Sequence, residues 1–209
     1  MKKIIFTTAL IITCFLFADA QSKYEIGMTK AFDLIGERKI DESVAMFERI
    51  SQAEQDQWLP AFHGAHTLIW SSFAVMEKSE REAMLEKAKL LVATAQERSA
   101  DNAEIYSLEA MLYTSYMAFD PATYGMMYAG KVEGLHNKAI DLDPSNPRVI
   151  SGKIRNAHGK ASFFGQDTSS YCEEMKKIIP KFKAEKVKEP FAPSFGLREA
   201  EGFVQNCNE

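Results

Sequence analysis

Apolar residues recur along this chain at intervals of three and four, with scarcely any run of alternating β-branched residues. Residues 23–35 place Ile26, Ala31, Leu34 and Ile35 close to helical spacing, and Gly36 ends the pattern. Residues 41–51 restart it with Val44, Phe47 and Ile50 on one face, so the period predicts two helices joined by a short turn. The next helix is expected over 59–76, with Pro60 in its first turn, where a missing N–H leaves no bond unmade. Its partner, 80–98, carries Met84, Ala88, Leu91, Val92 and Ala95, and Ser79 with Glu82 forms a capping box at its start.

A third pair begins at Glu104, with Ile105, Leu108, Leu112 and Tyr116 inward, and stops at Phe119-Asp120-Pro121. Residues 122–130, Ala-Thr-Tyr-Gly-Met-Met-Tyr-Ala-Gly, read as an irregular, aromatic and Met-rich insertion before a helix over 132–142. Pro147 opens a further helix through Ile150, Ile154, Ala157 and Ala161 to Phe164, and Gly165-Gln166-Asp167-Thr168 breaks it. A helix over 171–184, a loop over 189–196 and a short closing helix over 197–207 complete the chain. Few Gly and Pro among many Ala, Leu, Glu, Lys and Met agree with an all-α fold.

The run Lys138-Ala139-Ile140-Asp141-Leu142-Asp143-Pro144-Ser145-Asn146-Pro147 resembles the end of a tetratricopeptide repeat and its proline turn. Gly36 to Ile50 resembles the turn inside such a hairpin, with Ser43, Phe47 and Ile50 at the small and large apolar places. The resemblance covers roughly residues 24 to 183, with the usual 34-residue period stretched by insertions of about one helical turn or more. It implies an α-α superhelix, a right-handed solenoid of about four hairpins over 21–188, closed by a capping helix within 189–209. The order of elements is also similar to exported tetratricopeptide-repeat proteins of Bacteroidetes. Asn146-Pro147-Arg148, Ser162-Phe163-Phe164-Gly165, Pro193-Ser194-Phe195-Gly196 and Glu199-Ala200-Glu201 leading to Cys207 carry that likeness. Where that group has a glycine cluster, this chain has Gln166-Asp167-Thr168-Ser169-Ser170.

Residues 1–20 have the form of a secretory leader: Lys2 and Lys3, an apolar run from Ile4 to Phe17, and Ala18-Asp19-Ala20 before Gln21. The mature chain is then expected in the periplasm or outside the cell, with no stable membrane insertion, because the run is too short to span. A competing reading lipidates Cys14; Thr13 before it and Phe15-Leu16-Phe17 after it favour simple cleavage. Cleavage takes the formal charge from -4 to -5. Such an acidic domain lacks the basic patch that nucleic acid requires. The lysines from Lys176 to Lys188 are interleaved with Glu173, Glu174, Glu185 and Glu189, the pattern of a solvated face. Cys172 and Cys207 remain as an even pair, compatible with a disulfide in an oxidising compartment or with two partly buried thiols.

In the tetratricopeptide hairpin the first helices line the concave face, which implies Phe62, His66, Ile69 and Trp70, then Tyr106, Ala110 and Tyr113, then Ile154 and His158 as binding residues. The insertion with Tyr124 and Tyr128 is a candidate for a lid over that face or for a packed excursion. Such a face would be aromatic and poor in Lys and Arg, unlike the clamps that hold acidic peptide termini. These residues suit a groove for an apolar peptide, or simply the packing of a tightly wound solenoid. His63 and His66 stand three apart on one helix, yet no Cys, Asp or Glu completes a metal site; no cofactor or metal is expected, and His63 is expected to meet solvent. No nucleophile with a base, no paired carboxylates and no phosphate loop emerges, so the chain is not expected to be an enzyme.

The leading expectation is therefore a module that binds a protein or peptide partner on its concave face. The alternative is a small-molecule binder or enzyme with a pocket beneath the 120–130 insertion. A third reading is a structural subunit of an envelope assembly.

Overall fold

The computed structural model describes residues 23–187 and 189–207; the leader expected at 1–20, with Cys14, lies outside the described residues. Those residues form nine α-helices and no strand. They are α1 (23–36), α2 (Ile40–Ala53), α3 (Leu59–Ser72), α4 (Lys78–Arg98), α5 (Ala103–Phe119), α6 (Pro121–Leu142), α7 (Pro147–Phe163), α8 (Ser169–Ala184) and α9 (Leu197–Asn206). From α2 onward each helix packs on the next, as short connections require, and α3 also touches α5, which touches α7. The odd-numbered helices α3, α5 and α7 thus form an inner layer, with the even helices outside it. Burial follows this placement. Eleven of the 14 residues of α3 are buried, whereas α4 buries only a stripe of Leu85, Ala88, Leu91, Val92 and Ala95.

The α6–α7 joint is built as the sequence suggests, and each of its residues has a visible task. Ala139 is fully buried where the helices approach. Pro147 occupies the first turn of α7, and the Asn146 side-chain oxygen accepts from the backbone N–H groups of Arg148 at 2.9 Å and Val149 at 3.4 Å.

Three elements differ from expectation, each for a local reason. Helix α3 ends at Ser72 instead of Met76: the backbone tightens into bonds from Phe73, Ala74 and Val75 to the third residue before each, and Arg81, stacked on Phe119, takes the carbonyls of Val75 and Met76. The cap of α4 is Glu77, not a Ser79–Glu82 box: its carboxylate accepts from the Glu80 N–H at 2.7 Å and the Ser79 hydroxyl at 2.6 Å. Residues 121–142 form one continuous helix instead of an irregular insertion. Asp120 caps it through the Thr123 N–H, Pro121 starts it, and Tyr124 and Tyr128, one turn apart and stacked, dock on Tyr113 and Tyr116 of α5.

Beyond α8 the chain doubles back across the inner layer. Phe191 packs against Tyr24 and Phe32 of α1, and its carbonyl accepts from His63 Nε2 of α3 at 2.7 Å. His63 is therefore buried, not solvent-facing, because this returning segment covers it. Phe195 lies on Phe62 and His66, after which α9 returns to α8 through Ala200, Phe203 and Val204. Cys172 and Cys207 are joined as a disulfide, with Cα atoms 6.1 Å apart across 35 residues, so the loop and α9 are fastened at their far end. Reducing this link, or replacing Cys207 by Ser, is expected to lower the unfolding free energy by about 3 to 4 kcal/mol from loop entropy. Urea unfolding with and without reductant measures the difference, and coincident curves would count against the link.

Candidate functional site

Three inner helices each turn one stripe toward a common space. From α3 come Phe62, His66 and Trp70, with Phe73 capping its end; from α5, Glu104, Ser107, Leu108, Met111 and Thr114; from α7, Arg148, Ser151, Gly152, Arg155 and Asn156. These positions recur every three or four residues, so each set lies along a single helix face. His136 of α6, Phe182 of α8, Phe195 and Gly196 of the returning loop, and Glu199 of α9 complete a cavity of about 510 Å³. Gly152 allows α7 to approach closely here, since a Cβ would lie 3.1 Å from Ser107 Oγ. Gly196 has a φ of 106°, and a Cβ there would fall 2.8 Å from Phe182 Cε1, so only glycine passes this corner without strain.

Of the residues expected at the site, Phe62, His66 and Trp70 line the cavity. The others serve packing. Ile69 and Ala110 are fully buried in the main core, and Ile154 packs on Met175 and Ile178. Tyr106 joins the Ala139–Val149 cluster, and His158 sits between Tyr171 and Phe203. Tyr113, Tyr124 and Tyr128 bind α5 to α6 instead of forming a lid, with Lys131 Nζ 3.9 Å above the Tyr113 ring. The pocket likewise does not lie beneath residues 120–130.

The inner face also carries cations that the sequence reading did not place there. Arg148 Nε donates to Glu104 Oε1 at 2.8 Å, and its terminal nitrogens hold the Glu185 carboxylate, one of them at 2.7 Å. Asn146 Nδ2 donates to the same Glu104 oxygen at 2.7 Å. Arg148 and Glu104 side chains are only 9% and 12% exposed, so these charge-assisted bonds are formed largely away from water. Arg155, seven residues on and on the same face, makes no ion pair among the described residues; its guanidinium carbon lies 5.8 Å over the Trp70 ring. Trp70, Phe73 and Arg155 are exposed, and they mark the side on which the cavity meets solvent.

Deeper in, His66 Nε2 and His136 Nδ1 are buried without a hydrogen-bond partner. The His66 ring stacks on Phe195 with centroids 4.1 Å apart. Burial pushes the imidazoles of His63, His66 and His136 down to about 4, 3 and 4. Among the described residues, no cluster of three or more His, Cys, Asp or Glu could hold a metal ion, and no helix is long and apolar enough to cross a membrane.

No protein-family model matches the chain, and no curated protein matches it by sequence. Among solved structures the fold is similar to that of the HusA haemophore from Porphyromonas gingivalis, with a TM-score of 0.75. The two are 22% identical over 88% of this chain and 91% of that one, a likeness of fold.

Two outcomes are expected from the electrostatics. Replacing Arg148 by Met should cost about 3 to 5 kcal/mol in urea unfolding, because Glu104 is left buried without its cation; a loss below about 1 kcal/mol would show that the network does little. The three histidines titrate lower when folded than the usual 6.5 of the free side chain. The unfolded chain therefore binds more protons between these values. The stability they contribute is complete above pH 6.5 and is lost as the pH falls toward about 4, by at most about 1.4 kcal/mol per pH unit for each histidine. Unfolding midpoints at pH 7.5, 6 and 5 test this, and a flat profile would refute it.

Proposed function

We propose that this protein is an exported carrier that holds a flat, largely apolar small molecule of the tetrapyrrole class in the cavity between α3, α5 and α7. The observation that carries this reading is the cavity itself. Its size falls within the roughly 300 to 1,000 Å³ of small-molecule sites, and its wall sets aromatic side chains among polar ones contributed by α5, α7 and α9. Phe62, Trp70, Phe73, Phe182 and Phe195 supply broad rigid faces. The likeness of fold to a haemophore, a protein named for carrying haem, supports the choice of ligand class.

A small ligand is favoured over a peptide by one further observation. A peptide on the inner face would need an open trough, and residues 189–196 already cross α1 and α3 there, through Phe191 and Phe195. What is left is a chamber bounded by the chain's own tail. The repeat family and the leader expected from sequence agree with an exported binding protein, and no catalytic role is assigned to the site.

Titrating the purified mature protein with haem and with metal-free protoporphyrin, followed by absorbance and tryptophan fluorescence, tests the reading. Saturable one-to-one binding is expected. Trp70→Ala and Phe195→Ala should each weaken it about tenfold, equivalent to about 1.4 kcal/mol of lost contact. Absence of saturable binding, or affinities unchanged by both substitutions, would refute the proposal.

A further inference from the structure

We infer that Arg155 receives a carboxylate of the ligand at the cavity mouth, so that the site selects planar apolar acids over their neutral counterparts; this rests on the reading of the cavity as a tetrapyrrole site. The inference comes from comparing two arginines on one face of α7. Arg148 and Arg155 both line the cavity, but Arg148 is committed to Glu104 and Glu185 through Nε and both terminal nitrogens. Its charge is already balanced by two carboxylates. Arg155 makes no hydrogen bond or ion pair among the described residues; the Glu199 carboxylate, also on the cavity wall, acts on it electrostatically from beyond ion-pair distance. Its planar fork lies over Trp70, and that contact uses the π-face and leaves the five N–H donors unclaimed.

This arrangement has a consequence for any ligand. Filling the mouth with a neutral apolar molecule would strip water from an unpaired guanidinium, which opposes binding. A ligand with a carboxylate at its edge replaces that water with a bidentate, charge-assisted pair. The acid edge then points outward beside Arg155, and the apolar plane lies inward against Phe62, Trp70 and Phe195.

Protoporphyrin IX and its dimethyl ester differ only in the carboxylates, and they are the probes. Wild-type protein is expected to bind the diacid about tenfold more tightly than the ester, with the ratio shrinking at high salt. Arg155→Gln should bind both alike, and Arg155→Lys should keep part of the preference, because an ammonium retains the charge but not the fork. Arg155 is exposed, and circular dichroism confirms that the variants are folded. Equal affinities in wild type, or a tenfold preference that survives in Arg155→Gln, would overturn the inference while leaving the cavity as a porphyrin site. Failure of both probes to bind wild type would overturn both.

Discussion

The Arg148 guanidinium joins three parts of the chain at one point. It meets the first turn of α5 through Glu104, the α6–α7 turn through the shared Asn146–Glu104 bond, and the start of the returning segment through Glu185. Asn146 has two roles, since its oxygen caps α7 while its amide nitrogen holds Glu104. A buried ion pair is weak evidence of net stability, because desolvation offsets much of the attraction. Its specificity is the stronger point. The pair with Glu185 holds the start of the segment whose Phe195 and Gly196 line the cavity. Arg148 Cγ would lie 3.4 Å from a Cβ at Gly196, so salt bridge and cavity wall share one side chain.

The segment so placed is held again further along. His63 donates to the Phe191 carbonyl, and Phe191 takes a positive φ of 63° that few non-glycine residues adopt. Beyond it the disulfide fixes the end of α9 to the start of α8. A stack of helical hairpins would otherwise leave its inner face open. Here the last part of the chain lies across that face, turning part of a groove into a chamber. The stack thus needs neighbours only along its length, and the chamber needs its two ends brought together.

Most of the fold was legible in the sequence and most of the site was not, for a physical reason that α5 shows well. Residues 106, 110 and 113 look like the important stripe because they include two tyrosines, and such residues are the ones buried between layers. The cavity stripe on the same helix is Glu104, Ser107, Leu108, Met111 and Thr114, a mixture that in sequence passes for a solvated face. A binding wall must be apolar enough to exclude water and polar enough to orient a ligand, so its pattern falls between the two that periodicity can separate. Helix ends were legible where a proline or asparagine fixed them, as at Asn146-Pro147. They were missed where a distant side chain did, as Arg81 does for the carbonyls after α3. The role of Arg148 was hidden for the same reason: Glu104 and Glu185 stand far from it in sequence.

The chain's own packing bears on what the cavity can take. Phe195 lies nearly flat on His66, at 26° and 4.1 Å, and Phe62 is stacked on His66 from another side. A planar aromatic ring is thus already accommodated against α3, by side chains with few rotatable bonds and hence little entropy to lose. A flat ligand entering beside Trp70 would extend this stack instead of disturbing it, whereas a flexible aliphatic chain would leave the ring faces unmatched. If the cavity holds the proposed ligand, shape would select planarity in the interior, and the Arg155 charge at the mouth would select the acid. On the proposed reading these two filters would act on different parts of one molecule.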